Sequence, residues 1–386
     1  MKKIPYSRQC LDAADIRAVA RVLKSPFLTQ GPEIEKFEKE FAHFCGAKYA
    51  VACSSATAGL HLSAMVLGMG PGDLWWTSPN TFCATADAAV RCGAGVDFID
   101  IEWGTYNMNL NLLEDRLKQA ARKNRLPKAV APVHFAGNPV DMEFLNRLRR
   151  RYGFKVVEDA AHATGARFRG EKVGSCKWSD LCVFSFHAVK IITTGEGGMV
   201  TTNSENLYER LRLLRSHGIS REAKDRSSRQ KYPWYYEKLA LGNHYRMTDM
   251  QAALGRSQLS KIGKLNAKRK KLAALYDRCL PGWLILPEVT PGADSSWHLY
   301  VALTPPAYRS RDLLLEKMGE NDIQGAVHYP PIPALSFYRK NFPSGNFREK
   351  CPKSMDYFQR AVSIPLFPQM SEYQVRRVAG VMEGRL

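Results

Sequence analysis

Six short apolar runs recur along the first half of the chain: "KYAVAC" (48–53), "LWWTS" (74–78), "VDFID" (96–100), "KAVAPVH" (128–134), "KVVED" (155–159) and "LCVFSF" (181–186). Each reads as a buried strand. Between them lie amphipathic stretches, including "TAGLHLSAMVLGMG", "NLLEDRLKQAARKN" and "DMEFLNRLRRRYG", the last two opening on an Asn or Asp suited to a helix start. Strand, helix, strand repeated this often predicts an α/β fold with a mainly parallel sheet covered on both faces. In such sheets ligands collect at the carboxyl ends of the strands.

A chain of 386 residues is too long for one ordinary core. The expected division is an N-terminal segment 1–25, a large domain 26–255 and a small α+β domain 256–386. A long amphipathic helix from "GRSQLSKIGKLNAKRKKLAALYDRCL" leads into the small domain, whose short strands are "HLYVAL", "GAVHY" and "AVSIPL". No apolar stretch reaches the length that crosses a bilayer, and "MKKIPYSRQC" has no apolar run behind its lysines, so a cytoplasmic protein without membrane insertion is expected. The nine cysteines form no CxxC pair and the nine histidines no HExxH, which argues against a disulfide framework and against a metal. The net charge of +19 is carried by runs such as "RLRRRY" and "AKRKKL", read as solvated helix faces. No nucleic-acid motif accompanies them, so nucleic acid is not an expected partner, while an acidic small substrate would profit from the field.

Three strand ends carry chemistry. "SSATAGLH" after the first run is a helix start rich in small and hydroxyl residues, suited to a phosphate. Asp159 ends an apolar strand, where a carboxylate needs a cationic or N–H partner. Lys190, in "VFSFHAVKIITTGEGG", follows another, in surroundings that lower an amine's pKa and favour its nucleophilic form. Taken singly, an ion pair and ordinary caps account for these residues. Taken together they match pyridoxal 5′-phosphate (PLP): a lysine to bond its aldehyde, a carboxylate to keep its ring nitrogen protonated, and a helix start for its phosphate. Phe82, in "SPNTFCATA", offers a flat apolar face to the ring.

The motifs "EDAAHATGARFRG", "FSFHAVKIITTGEGG", "RSHGI" and "YRMTDMQAALG" resemble the DegT/DnrJ/EryC1/StrS sugar aminotransferases over essentially the whole chain. The resemblance implies the PLP-dependent aspartate aminotransferase fold (fold type I), with a large, seven-stranded-type sheet domain and active sites at a homodimer interface. It makes Lys190 the cofactor-bonding lysine and Asp159 the ring-nitrogen partner. Ser185, Ala56 and Thr57 would hold the phosphate, with Phe82 stacked on the ring and His162 near it. Tyr6, the stretch Pro26, Phe27, Leu28 and Thr29, and "VHYP" (Val327, His328, Tyr329, Pro330) would fall where the nucleotide sugar binds, and His298 is read as structural. Lysine rather than histidine at 190 separates the chain from the related sugar dehydratases. One departure is "GNHYRM": His244 stands where the family has the Asn that reaches the neighbouring subunit's cofactor phosphate, with Asn243 one residue earlier.

Within the family, "FLTQGPEIEKFE", "WWTSPNTF" and "PWYYEKLALG" look most like members that aminate C4 of a UDP-4-keto-6-deoxy-N-acetylhexosamine with L-glutamate in pseudaminic acid biosynthesis. Enzymes of UDP-4-keto-arabinose in lipid A modification share "SSATAG", "FSFHA" and "WHL", and stay as the alternative. A non-catalytic binding protein is disfavoured by the joint presence of Lys190 and Asp159. Residues 220–239 mix basic and aromatic side chains as a flap over a nucleotide would, and as a solvated loop would equally.

Overall fold

The computed structural model describes residues 3–226, 232, 234–306, 310–342 and 347–384. All six expected runs form strands, and a seventh joins them: β1 Tyr49–Cys53, β2 Leu74–Thr77, β3 Gly95–Phe98, β4 Ala129–Ala131, β5 Lys155–Asp159, β6 Leu181–Ser185 and β7 Gly198–Thr202. They make one sheet in the order β1-β7-β6-β5-β4-β2-β3, in which β7 alone runs against its neighbours. The carboxyl ends of the other six therefore share one edge. β7 was missed because its "GMVTT" follows directly on a Thr–Gly loop, which hides its apolar run.

Close approach of helix to strand fixes that edge. At Gly59, in the Ala56–Val66 helix, a Cβ would come within 2.9 Å of Val183 Cγ1 and 3.1 Å of Val200 Cγ2, so only glycine lets the helix lie against β6 and β7. At Gly198 a Cβ would meet the Ser55 carbonyl carbon at 2.6 Å and the Ala56 nitrogen at 2.7 Å. Its absence seats the helix start directly over the end of β7. Asp141 caps the Met142–Tyr152 helix as read, whereas Leu110–Arg122 starts earlier than expected: Asn109, not Asn111, accepts from Leu112 N at 3.0 Å.

The expected boundary at 255/256 falls inside a helix, Asp249–Leu259, and the long helix is two: the chain turns at Ser260–Lys261 before Ile262–Cys279. The break is held by Lys261 Nζ, which reaches Asp12 at 2.8 Å and Asp15 at 2.6 Å. A separate core surrounds the Tyr300–Leu303 and Ala361–Ile364 pair and includes Ile4, which bridges to Ile323. The chain before the first helix thus starts in the C-terminal core at Ile4, and Leu366 N donating to the Tyr6 carbonyl at 3.1 Å sets Tyr6 beside the sheet edge. "GAVHY" forms no strand; a β-bridge joins Ala326 to Ser363, and the next residues, His328 and Tyr329, are pinned at the sheet edge by the Tyr357 hydroxyl donating to the His328 carbonyl at 2.7 Å. Among the described residues no helix is long and apolar enough to cross a membrane.

Candidate active site

The ends of β1, β2, β5 and β6 open on a cavity of about 400 Å³. Its wall brings together Tyr6, Ala56, Thr57, Phe82, Asp159, His162, Ser185, Lys190, His328 and Tyr329, all from the sequence reading. Thr81, His187, Glu196 and His298 also line it. Pro26, Phe27, Leu28, Thr29, Val327, Pro330, Asn243 and His244 do not line the cavity of this chain.

Each strand end delivers a different chemistry. β5 brings Asp159 to a depth where 5% of its surface is exposed, and its carboxylate accepts from Thr85 Oγ1 at 2.6 Å and from Ala161 N at 3.0 Å. Both donors are neutral, so neither brings a positive charge to the carboxylate. β6 ends at Ser185, and the turn after it, closed by Lys190 N donating to the His187 carbonyl at 2.9 Å, swings the Lys190 side chain back to the cavity. Burial of the ammonium pushes its pKa down to about 8, against a smaller upward pull from Asp159. Roughly one Lys190 amine in ten is then neutral at pH 7, against about three in ten thousand at the ordinary value. β1 leads into Ser55, whose hydroxyl accepts from Ala58 N at 3.1 Å. Ala56 and Thr57, at the first turn, keep N–H groups without intrahelical partners, at the positive end of the helix dipole.

Aromatic side chains form the remaining wall. Phe82 is 58% exposed at the mouth and packs 6.0 Å from Tyr329, whose hydroxyl lies 3.2 Å from His162 Nε2. His298, read from the sequence as structural, sits against His162 with ring centroids 4.5 Å apart. Its signal was weak because a single His beside an apolar strand resembles any core histidine. Nδ1 of both His162 and His298 is buried without a protein partner. His328 Nδ1 pairs with Ser363 Oγ at 2.8 Å.

The three rings are held neutral. Burial, then repulsion from Lys190 or neighbouring histidines, drives His162 and His298 well below the ordinary histidine range, and burial takes His328 to about 4. A group whose folded pKa is depressed takes up a proton on unfolding once the pH drops below its unfolded value, about 6.5. Stability is therefore expected to fall as pH is lowered from 7 to 5, by about 2 kcal/mol for each histidine that stays neutral. Urea unfolding of the cofactor-free chain across that window measures it, with His298→Phe removing one proton from the uptake; a flat profile would contradict the neutral cluster.

Outside the cavity, the Asn243 side chain turns inward, Nδ2 lying 3.4 Å from Met65 Sδ, while His244 is exposed and stacked 5.3 Å from His217. Of the two, His244 is the one presented outward. In the 220–239 stretch, Tyr232 and Trp234 stack at 5.6 Å, both exposed, and residues 227–231, Arg229 among them, lie outside the described residues.

A lysine poised near its free-amine form, a deep carboxylate held by neutral donors and an open helix start, all on one sheet edge, define a PLP enzyme of fold type I. The chain belongs to the DegT/DnrJ/EryC1/StrS aminotransferase family, whose model matches residues 9–383. It is 38% identical over 378 residues to the spore coat polysaccharide biosynthesis protein SpsC of Bacillus subtilis, covering 96% of this chain and 94% of that one. Its fold is similar to that of Helicobacter pylori PseC, an aminotransferase involved in the biosynthesis of pseudoaminic acid: TM-score 0.89, 31% identity, 100% of this chain and 99% of that one. Spr1654 of Streptococcus pneumoniae, in its PLP form, matches with TM-score 0.86 and 27% identity over 100% of both chains. The protein is a PLP-dependent sugar aminotransferase.

Proposed function

We propose that the chain moves the amino group of L-glutamate to C4 of a UDP-linked 4-keto-6-deoxy-N-acetylhexosamine, the amination used in pseudaminic acid biosynthesis. The observation that carries the aminotransferase chemistry is the meeting of Lys190, Asp159 and the Ala56–Thr57 helix start on one cavity. The likeness to PseC over the whole chain supports the sugar.

The residues present fit the cofactor: the glycine at 198 leaves room for a phosphate-binding turn, and the cavity pairs an amine with a carboxylate. When bound, PLP supplies an electron-accepting ring that stabilises the charge left as a proton departs from the carbon bearing nitrogen. The N–H groups of Ala56 and Thr57 and the Ser185 hydroxyl would take the phosphate. Asp159 would keep a proton on the ring nitrogen. Phe82 and the neutral His162 would hold the ring and keep water from it. Lys190 would hold the cofactor's aldehyde, and its amine, when free, is the base placed to take the proton from the donor Cα. In the second half of the cycle the same amine returns a proton to C4 of the sugar, so one base serves both carbons.

Tyr6, His328 and Tyr329 wall the side from which a sugar enters, and Phe27 and Leu28, 53% and 45% exposed outside this cavity, are assigned to a site completed between two copies. There Pro26–Thr29 meet the nucleotide, and the outward His244 reaches the other copy's cofactor phosphate. The positive surface favours the diphosphate.

A panel of UDP-, dTDP- and GDP-linked 4-keto sugars, with amino product read by mass spectrometry, tests the assignment. The UDP-N-acetylhexosamine is expected to exceed UDP-4-keto-arabinose in kcat/KM by at least about tenfold, the usual worth of small apolar groups in a pocket. Equal or better use of the pentose or of a dTDP sugar would overturn it.

A further inference from the structure

Asp159 is held by a chain of two hydroxyls that the cofactor chemistry has not yet used. Thr85 is fully buried on the Ala84–Val90 helix, and Thr81, 3% exposed, lies one turn before it in the loop that carries Phe82. Thr85 Oγ1 lies 2.6 Å from Asp159 Oδ2, 2.8 Å from Thr81 Oγ1 and 3.2 Å from the Phe82 carbonyl. A hydroxyl has one proton, and an ionised carboxylate only accepts. Thr85 therefore donates to Asp159 along its shortest contact, and Thr81 donates to Thr85. Two consequences follow. The bond to the carboxylate is charge-assisted, and the Thr81 donor polarises the Thr85 hydroxyl and strengthens it. Thr85 N also donates to the Phe82 carbonyl at 3.2 Å, so one buried residue ties the wall that would face the ring to the carboxylate that would meet its nitrogen.

We propose that Thr85, polarised by Thr81, is a positioning residue for the aminotransferase reaction: it fixes the rotamer of Asp159 and stabilises its ionised form, and thereby keeps the proton on the cofactor's ring nitrogen. This rests on the assignment of Asp159 as the ring-nitrogen partner. Oδ2 is taken by Thr85 and Oδ1 by Ala161 N, so the carboxylate cannot rotate without losing a bond, and it lines the cavity. A methyl in place of the hydroxyl leaves the carboxylate one donor short. Its proton affinity then rises, and the shared proton moves from the ring nitrogen toward Asp159.

Thr85→Val keeps the shape and removes only the hydroxyl. In holoenzyme carrying isotopically labelled PLP, the NMR shift of the ring nitrogen is expected to move toward the unprotonated position, and the single-turnover rate with L-glutamate to fall about 10- to 100-fold, the worth of a hydrogen bond to a charged group. KM for glutamate should change less than about twofold, because the lost bond supports the chemistry rather than donor binding. Thr85→Ser should restore both signals, and Thr81→Val should move them the same way by a smaller amount. If Thr85→Val does not fold, Thr81→Val and Thr85→Ser carry the test. A wild-type nitrogen signal in Thr85→Val or in Thr81→Val, or a Thr85→Ser variant as impaired as Thr85→Val, would overturn the proposal. A wild-type enzyme whose ring nitrogen is itself unprotonated would remove the Asp159 assignment and this proposal with it, which separates the two failures.

Discussion

Lys190→Ala is expected to lower turnover by ~10⁴-fold or more, since one amine serves as both covalent anchor and general base. The visible absorbance of the lysine-bound cofactor should vanish from the purified protein, because alanine cannot bond the aldehyde. The fold should survive: the turn around residue 190 is held by its backbone N–H to the His187 carbonyl, which alanine retains, and the truncation removes a buried amine. Unfolding measurements on the cofactor-free variant would show this. A small alkylamine in the buffer should recover part of the rate with L-glutamate, since it supplies a base without an anchor. In the wild-type chain the rate at which added cofactor develops colour should climb with pH up to about 8, as the amine loses its proton. Turnover near the wild-type level in the alanine variant would end the assignment of Lys190.

The sheet was legible in the sequence because most of its parallel strands are buried on both faces and so appear as apolar runs, while the edge strand β3, half-exposed at Gly95 and Asp97, keeps an alternating pattern. The antiparallel β7 was not, since its neighbours in sequence are glycines and threonines chosen for close backbone approach at the helix start rather than for burial. Lys190, Asp159 and the Ser55–Thr57 turn could be read because each stands at the end of such a run, where a polar residue has few structural excuses. What supports them could not. Thr81 and Thr85 are four apart in a small-residue stretch, and nothing in "TFCATA" tells a hydroxyl that packs from one that bonds a carboxylate 74 residues away. His298 joins the cavity by a contact with His162 across 136 residues of chain, a separation that no local pattern encodes. The turn at Ser260–Lys261 was hidden for a related reason: the helical periodicity continues through it, and the break is imposed from outside by Asp12 and Asp15.

Asp159→Asn should separate stability from activity. The carboxylate is 5% exposed and its two donors are neutral, so the folded chain carries a buried negative charge with Lys190 acting on it only across the cavity. Such a charge is costly until a cationic ring nitrogen meets it. Asparagine removes the charge at nearly constant shape. With its Oδ1 toward the Ala161 N–H, its NH₂ donates to the Thr85 hydroxyl, which turns its own proton to the Phe82 carbonyl at 3.2 Å, so a charge-assisted bond is exchanged for a neutral one at a cost of about 1 kcal/mol. The two effects oppose each other, and the cofactor-free variant should unfold within about 1–2 kcal/mol of wild type. Activity has no such compensation. A neutral amide cannot hold a proton on the ring nitrogen, the electron-accepting capacity falls, and both half-reactions should slow by on the order of 10³-fold, the scale of losing one well-placed electrostatic partner in a dry site. Because Lys190 is untouched, the variant should still bind PLP and stay coloured, with a ring-nitrogen NMR signal at the unprotonated position. Asp159→Glu keeps the charge but displaces it by one methylene, and should recover the protonated signal only in part. A coloured asparagine variant that turns over glutamate at the wild-type rate would show that the ring nitrogen draws its proton from some other group, and Thr85 would then have no carboxylate to position.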